Sequence, residues 1–127
     1  MQILGLGTHI IETPRVKKLI EAHAEKFLEQ VFTERELIYC RDRTHSTEFY
    51  AAFWASKEAV MRSIGMKWRR GISWTEIEIV CDSAIEPHVE IMGYCRERME
   101  ARGATSFMLS FSYSRLFATA TALATRI

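Results

Sequence analysis

His9 is the first residue in the chain whose type suits chemistry near neutral pH, and its neighbours make it conspicuous. It lies in the run ILGLGTHIIE, residues 3–12. Alternation along a strand puts Ile3, Gly5, Gly7, His9 and Ile11 on one face, with Leu4, Leu6, Thr8 and Ile10 on the other. Glycine weakens a strand and marks close approach of a ligand or another backbone. Two glycines beside a histidine therefore describe a shallow place next to a group that titrates at about 6.5. A second group is Glu58 with Arg62, one turn apart on a helical stretch, residues 47–64. The charged residues of that stretch are Glu48, Lys57, Glu58 and Arg62. A carboxylate on so apolar a helix needs a partner, a metal or an altered pKa. A third group is Arg15, Lys17 and Lys18, just after Pro14. Cations at a helix start oppose its dipole, so they form either a solvated face or a docking patch for an acidic partner.

The elements that position these groups follow from period and punctuation. Pro14 opens a helix predicted over 15–27, with Val16, Leu19, Ile20 and His23 or Ala24 inward. Thr33-Glu34-Arg35-Glu36 is a capping box that starts a short helix to about Cys40. Ser46 or Thr47 caps the long helix, which Gly65 stops. Phe49, Phe53, Ser56, Val60 and Ile64 form its main stripe, yet Ala51, Trp54, Ala55 and Met61 make the opposite face apolar too. A helix apolar nearly all round is buried or sits in an interface. Residues 66–71 are a basic loop with Lys67, Arg69 and Arg70. Alternation predicts a hairpin over 75–92, with turn residues at 82–87. A short helix follows over 93–102, stopped by Gly103. Two last strands follow, 106–113 and 117–125, the second with Ala118, Ala120, Ala122 and Ala124 on one face. Strands neighbour strands, so the fold class is α+β, an antiparallel sheet packed on a long helix.

Length and composition bound the rest. At 127 residues, 48% hydrophobic and 26% charged, the chain is predicted to be one domain, 1–127, with a core of its own. The net charge of +1 gives no global basic field, which argues against nucleic acid as a partner. Cys40, Cys81 and Cys95 form no C-x-x-C pair and read as reduced thiols of a cytoplasmic protein. No apolar run approaches the roughly 18 residues of a membrane span. The first residues lack the basic region and cleavage site of a signal peptide.

Five blocks of the sequence carry a family likeness. They are Gly5-Leu6-Gly7-Thr8 with Ile10-Ile11-Glu12; Phe27-Leu28 with Val31-Phe32-Thr33-Glu34 and Tyr39-Cys40; Phe53-Trp54-Ala55-Ser56-Lys57-Glu58-Ala59; Gly71-Ile72-Ser73-Trp74 with Ile77-Glu78-Ile79-Val80; and Leu109-Ser110-Phe111-Ser112. In this order and spacing the chain resembles the bacterial holo-acyl-carrier-protein synthases, the short single-domain 4′-phosphopantetheinyl transferases. The resemblance implies transfer of the phosphopantetheine arm of coenzyme A to a serine of apo-acyl carrier protein, in lipid and fatty-acid biosynthesis. It also implies a Mg²⁺ that bridges the phosphates, and a homotrimer with active sites between subunits. Carried over by position, Glu58 is the metal-binding glutamate and Lys57 its catalytic neighbour. Arg62 stands where the family has lysine, His9 where it has a metal-binding aspartate, and Tyr113 where it has histidine. Gly65, Ser112 and Tyr113 join Arg62 as expected contacts to coenzyme A. Arg15, Lys17 and Lys18 are the expected carrier-protein contacts.

The three departures differ in weight. Arginine keeps the charge of lysine with changed geometry. Tyrosine keeps a hydroxyl donor and loses a base. Imidazole is a poor ligand for Mg²⁺ and better suited to Mn²⁺ or Zn²⁺. His9 is alternatively a phosphate contact or the general base that position 113 lost. Two functions stay open on this basis: a working transferase with a rearranged site, and a catalytically impaired homologue that binds coenzyme A or a carrier protein.

Overall fold

A computed structural model describes residues 1–81 and 86–127. Strand β1 (Gln2–Glu12) runs into helices α1 (Thr13–His23), α2 (Glu25–Val31), α3 (Glu34–Arg41) and α4 (Ser46–Ser63). A 3₁₀ turn (Trp74–Glu76) leads to the hairpin β2 (Ile77–Val80) and β3 (His88–Ile91). Then come α5 (Gly93–Ala101), β4 (Ser106–Tyr113) and β5 (Phe117–Arg126). The strands form two antiparallel sheets, β1-β5-β4 and β2-β3. The larger sheet lies against α4, and this α+β layering is the one that the strand and helix periods predict. The turn residues expected at 82–85 lie outside the described residues.

The alanine face of β5 explains how sheet and helix approach. Ala118, Ala120, Ala122 and Ala124 are all buried, as are Ala51, Ala52, Ala55 and Ala59 of α4. Small side chains on both partners bring the backbones close. The approach is tightest at β1, where a Cβ on Gly7 would lie 2.7 Å from the Ser63 nitrogen and 2.9 Å from the Ala59 carbonyl carbon. Gly5 meets Ser63 in the same way. Two residues of strand span about 6.7 Å and one turn of helix about 5.4 Å, so Gly5 and Gly7 fall beside successive turns of α4. His9, the next residue on that face, falls beside the turn before Ala59. The two glycines thus serve a neighbouring backbone and place the histidine. Replacing Gly7 by alanine is expected to destabilise the fold by about 3 kcal/mol, because backbone atoms cannot yield as side chains do. A denaturant midpoint unchanged in Gly7→Ala would contradict this packing.

Several local expectations need correction. The helix predicted over 15–27 is two helices, broken at Ala24, whose φ of 46° is left-handed. The break turns Phe27, Leu28 and Val31 into the core and leaves His23 and Ala24 exposed. A register shift between Ile3 and Gly5 takes Ile3 off the inner face. His45, not Ser46 or Thr47, is the N-cap of α4, and its imidazole sits 3.0 Å from Glu48. The capping box of α3 is present in full, with Glu36 N–H donating to Thr33 Oγ1 and Thr33 N–H donating to Glu36 Oε1. Trp54 and Met61 are covered within the chain: Met61 is buried, and Trp54 packs edge-on against Phe27 and Trp74. The apolar surface left open is instead the outer face of the larger sheet. There Ile3, Leu6, Ile10 and Met108 are about half or more exposed, Leu6 at 63%.

Candidate active site

Lys57 and Glu58 are consecutive on α4, so their side chains leave the helix about 100° apart. Lys57 turns inward and is fully buried. Its Nζ donates to the carbonyls of Val31 (2.8 Å), Trp74 (3.1 Å) and Ile77 (2.7 Å) and lies 2.7 Å from Glu36 Oε1. The Glu36 carboxylate accepts in turn from the N–H of Thr33 (2.8 Å) and of Ile79 (2.7 Å). Burial pushes Lys57 down and Glu36 up, and the ion pair and hydrogen bonds oppose both shifts. An ammonium with all its donors used in the core has none for a phosphate. The catalytic part expected of Lys57 is therefore corrected to a structural one. It ties α2, α3 and the 3₁₀ turn to α4.

Glu58 turns to the β1 side, half-buried, with one oxygen 3.7 Å from Arg62 Nε. His9 shares its surroundings. Burial pushes the His9 imidazole below its usual value, Glu58 pulls it up, and Arg62 and Arg15 push it down again. This group on β1, α4 and the start of α1 thus sets an imidazole held below its usual value beside a carboxylate and guanidinium groups. Arg15, Lys17 and Lys18 are all exposed there, and no acidic residue occupies the first turn of α1.

Of the remaining expected residues, Gly65 lies near this group and Ser112 and Tyr113 lie away from it. Gly65 follows α4 with φ 75°, one turn beyond Arg62. Tyr113 and Ser112 stand on β4, at the sheet edge opposite β1. Ser112 faces outward and is exposed. Tyr113 packs on Phe49, ring centroids 4.9 Å apart, and lines a separate pocket with Tyr39, Arg43, His45 and Phe49. Residue types alone did not single out Arg43, whose guanidinium lies 3.8 Å from the Tyr39 ring centre.

The protein's own donors offer a Mg²⁺ ion one carboxylate oxygen ligand, Glu58, with the rest left to substrate phosphates and water. Among the described residues no three His, Cys, Asp or Glu side chains converge. Beside that carboxylate, paired with Arg62, His9 adds a nitrogen ligand, whereas Mg²⁺ takes oxygen.

The sequence model of the 4′-phosphopantetheinyl transferase superfamily matches residues 5–115. The chain belongs to this superfamily. It is similar to the holo-[acyl-carrier-protein] synthase of Chlamydia caviae, 39% identical over 124 residues, 97% of this chain and 98% of that one. A holo-(acyl-carrier-protein) synthase of Bacillus anthracis, solved in complex with CoA (3′,5′-ADP), superposes with a TM-score of 0.79 at 27% identity, covering 100% of both chains. The Neisseria meningitidis holo-[acyl-carrier-protein] synthase shares the fold, with a TM-score of 0.85 over 98% of this chain and 99% of that one, at 24% identity. The transferase fold predicted from the five blocks is thus the fold observed. No helix among the described residues of this superfamily member is long and apolar enough to cross a membrane.

Proposed function

We propose that the protein transfers the 4′-phosphopantetheine arm of coenzyme A to a serine of an apo-acyl carrier protein, releasing 3′,5′-ADP. The observation that carries this is the electrostatic grouping of His9 with Glu58, Arg62 and Arg15 in a chain of this superfamily. The serine oxygen attacks the β-phosphorus, and the bond from that phosphorus to the bridging oxygen of the ADP portion breaks. Arg62 and Arg15 offset the charge of the pyrophosphate. His9, neutral, takes the serine proton. Glu58 orients Arg62 and His9. Mass spectrometry of apo-acyl carrier protein after incubation with coenzyme A tests the reading. A phosphopantetheine adduct supports it, and its absence in Mg²⁺ and in Mn²⁺ favours the impaired homologue.

The assembly is a homotrimer. Support comes from the open apolar face of the β1-β5-β4 sheet and from the split of the expected site between its two edges. His9, near Glu58, lies on the edge strand β1, and the Tyr113 pocket lies on the other edge strand, β4. A cyclic head-to-tail arrangement brings one copy's β1 edge to the next copy's β4 edge and joins the halves. Gly65, Ser112 and Tyr113 then contact coenzyme A from two subunits. Sedimentation equilibrium showing a monomer at micromolar concentration would overturn this.

The carrier protein docks on Arg15, Lys17 and Lys18, beside the His9–Glu58 group. Reversing all three charges is expected to weaken carrier-protein binding, and salt to weaken it in the wild type, since exposed charges are screened beyond roughly 10 Å at 0.1 M. Binding unchanged by the triple reversal would leave the patch as solvated surface. The protein works in the cytoplasm, a placement supported by the buried free thiols Cys40 and Cys95.

A further inference from the structure

Helix α3 and strand β2 run side by side, and two hydrogen bonds fix how they are aligned. Thr33 Oγ1 donates to Glu78, and the Ile79 N–H donates to Glu36 Oε2 at 2.7 Å. The partners thus advance along both elements in the same direction. One further turn of α3, about 6 Å, leads from Glu36 to Cys40. Two further residues of extended chain, about 6.7 Å, lead from Ile79 to Cys81. The two steps are nearly equal, so the contact that joins Glu36 to Ile79 continues as one between Cys40 and Cys81. Alternation puts Cys81 on the face of Ile77 and Ile79, and it packs there against the core. The electrostatics agree: burial pushes the Cys40 thiol up, and Glu36 and Cys81 push it further.

The two thiols differ in access. Cys40 is fully buried, whereas Cys81 is partly exposed. A buried, protonated thiol is inert on its own, and an accessible one meets an oxidant first. We infer that Cys40 and Cys81 are an oxidant-responsive pair that closes to a disulfide and reopens with a thiol reductant. With hydrogen peroxide, the Cys81 sulfur attacks one oxygen. An S–O bond forms, the O–O bond breaks, and the second oxygen leaves as water with the Cys81 proton. The Cys40 sulfur then attacks the Cys81 sulfur. The S–S bond forms, the S–O bond breaks, and the hydroxyl leaves as water with the Cys40 proton. The thiol pair is oxidised by two electrons and the peroxide is reduced to water. The bond pins the end of α3 to the end of β2. It forms next to Tyr39, whose ring stacks on Phe53 with centroids 5.7 Å apart and lines the Tyr113 pocket. In a reducing compartment, bridges are characteristically transient ones of this kind.

Hydrogen peroxide treatment of the full chain, followed by unfolding in a maleimide and intact mass, tests the inference. The chain has three cysteines, so the reduced protein takes three labels. The oxidised protein is expected to take one, on Cys95, and dithiothreitol to restore all three. Peptide mapping should find Cys40 joined to Cys81 within one chain. Cys81→Ser is expected to keep both remaining thiols at the same dose, because peroxide reaches Cys40 only through Cys81. This variant changes a partly exposed position, so the test does not depend on replacing the buried Cys40. Three labels after peroxide, a bridge that includes Cys95 or joins two chains, or Cys81 carried to sulfinic acid while Cys40 stays a thiol, would overturn the inference. Loss of the Cys40 thiol in Cys81→Ser would overturn it as well. The bond is read by mass, so none of these results depends on carrier-protein modification.

Discussion

Replacing Lys57 by methionine is expected to cost about 3–5 kcal/mol of stability, because it strands the Glu36 carboxylate in the core without its partner. That is a large share of the roughly 5–15 kcal/mol that holds a domain folded. The variant also leaves the carbonyls of Val31, Trp74 and Ile77 without the ammonium that now joins them. Adding Glu36→Gln should recover part of the loss, since the amide removes the buried charge and still accepts from Thr33 or Ile79. Denaturant midpoints of the single and double variants measure this. A loss below about 1 kcal/mol in Lys57→Met would contradict a structural role for the lysine.

Replacing His9 by aspartate is expected to raise Mg²⁺-supported transfer by about tenfold to a hundredfold, the range typical of changes around a metal site. The aspartate sets a second carboxylate beside Glu58 and supplies the oxygen that the imidazole lacks. The wild type should respond to pH differently from the variant. Burial holds His9 below 6.5 in the folded protein, so the unfolded chain takes up its proton first. The contribution of His9 to stability is therefore complete above about pH 6.5 and is lost as pH falls through the depressed folded value. Transfer by the wild type should decline over the same acid window, as the base is protonated. Assays of both proteins in Mg²⁺ and Mn²⁺ across pH 5–8 decide it. Equal and strong Mg²⁺ activity in the two would remove both the metal argument and the base role of His9, whereas a loss of transfer in the variant would leave His9 as a base.

The parts of the fold legible in the sequence were those set by period and by local chemistry. The alanine face of β5, the capping box at Thr33 and the stop at Gly65 each announce themselves within a few residues. The break at Ala24 does not, because its left-handed φ is imposed by the packing of Phe27 and Leu28 on the rest of the core. The same limit explains Lys57 and Glu58. A helical motif fixes the angle between neighbouring side chains, but which of them faces the core depends on Glu36, 21 positions away. The nearness of His9 to α4 was partly legible, because glycines in a strand signal close approach of a ligand or another backbone, and here it is the backbone of α4.

The pairing of β1 has a kinetic consequence. His9 is opposite Ala120, and among the described residues β5 is the one strand that β1 pairs with. A ribosome therefore exposes His9 long before its sheet neighbour exists. Until β5 arrives, the glycine-rich strand has helix α4 to rest on but no hydrogen-bonded edge. Closing so long a loop is costly and slows folding. The His9–Glu58 group is thus assembled late, and a chain stalled during synthesis before β5 holds Glu58 and Arg62 without a placed His9.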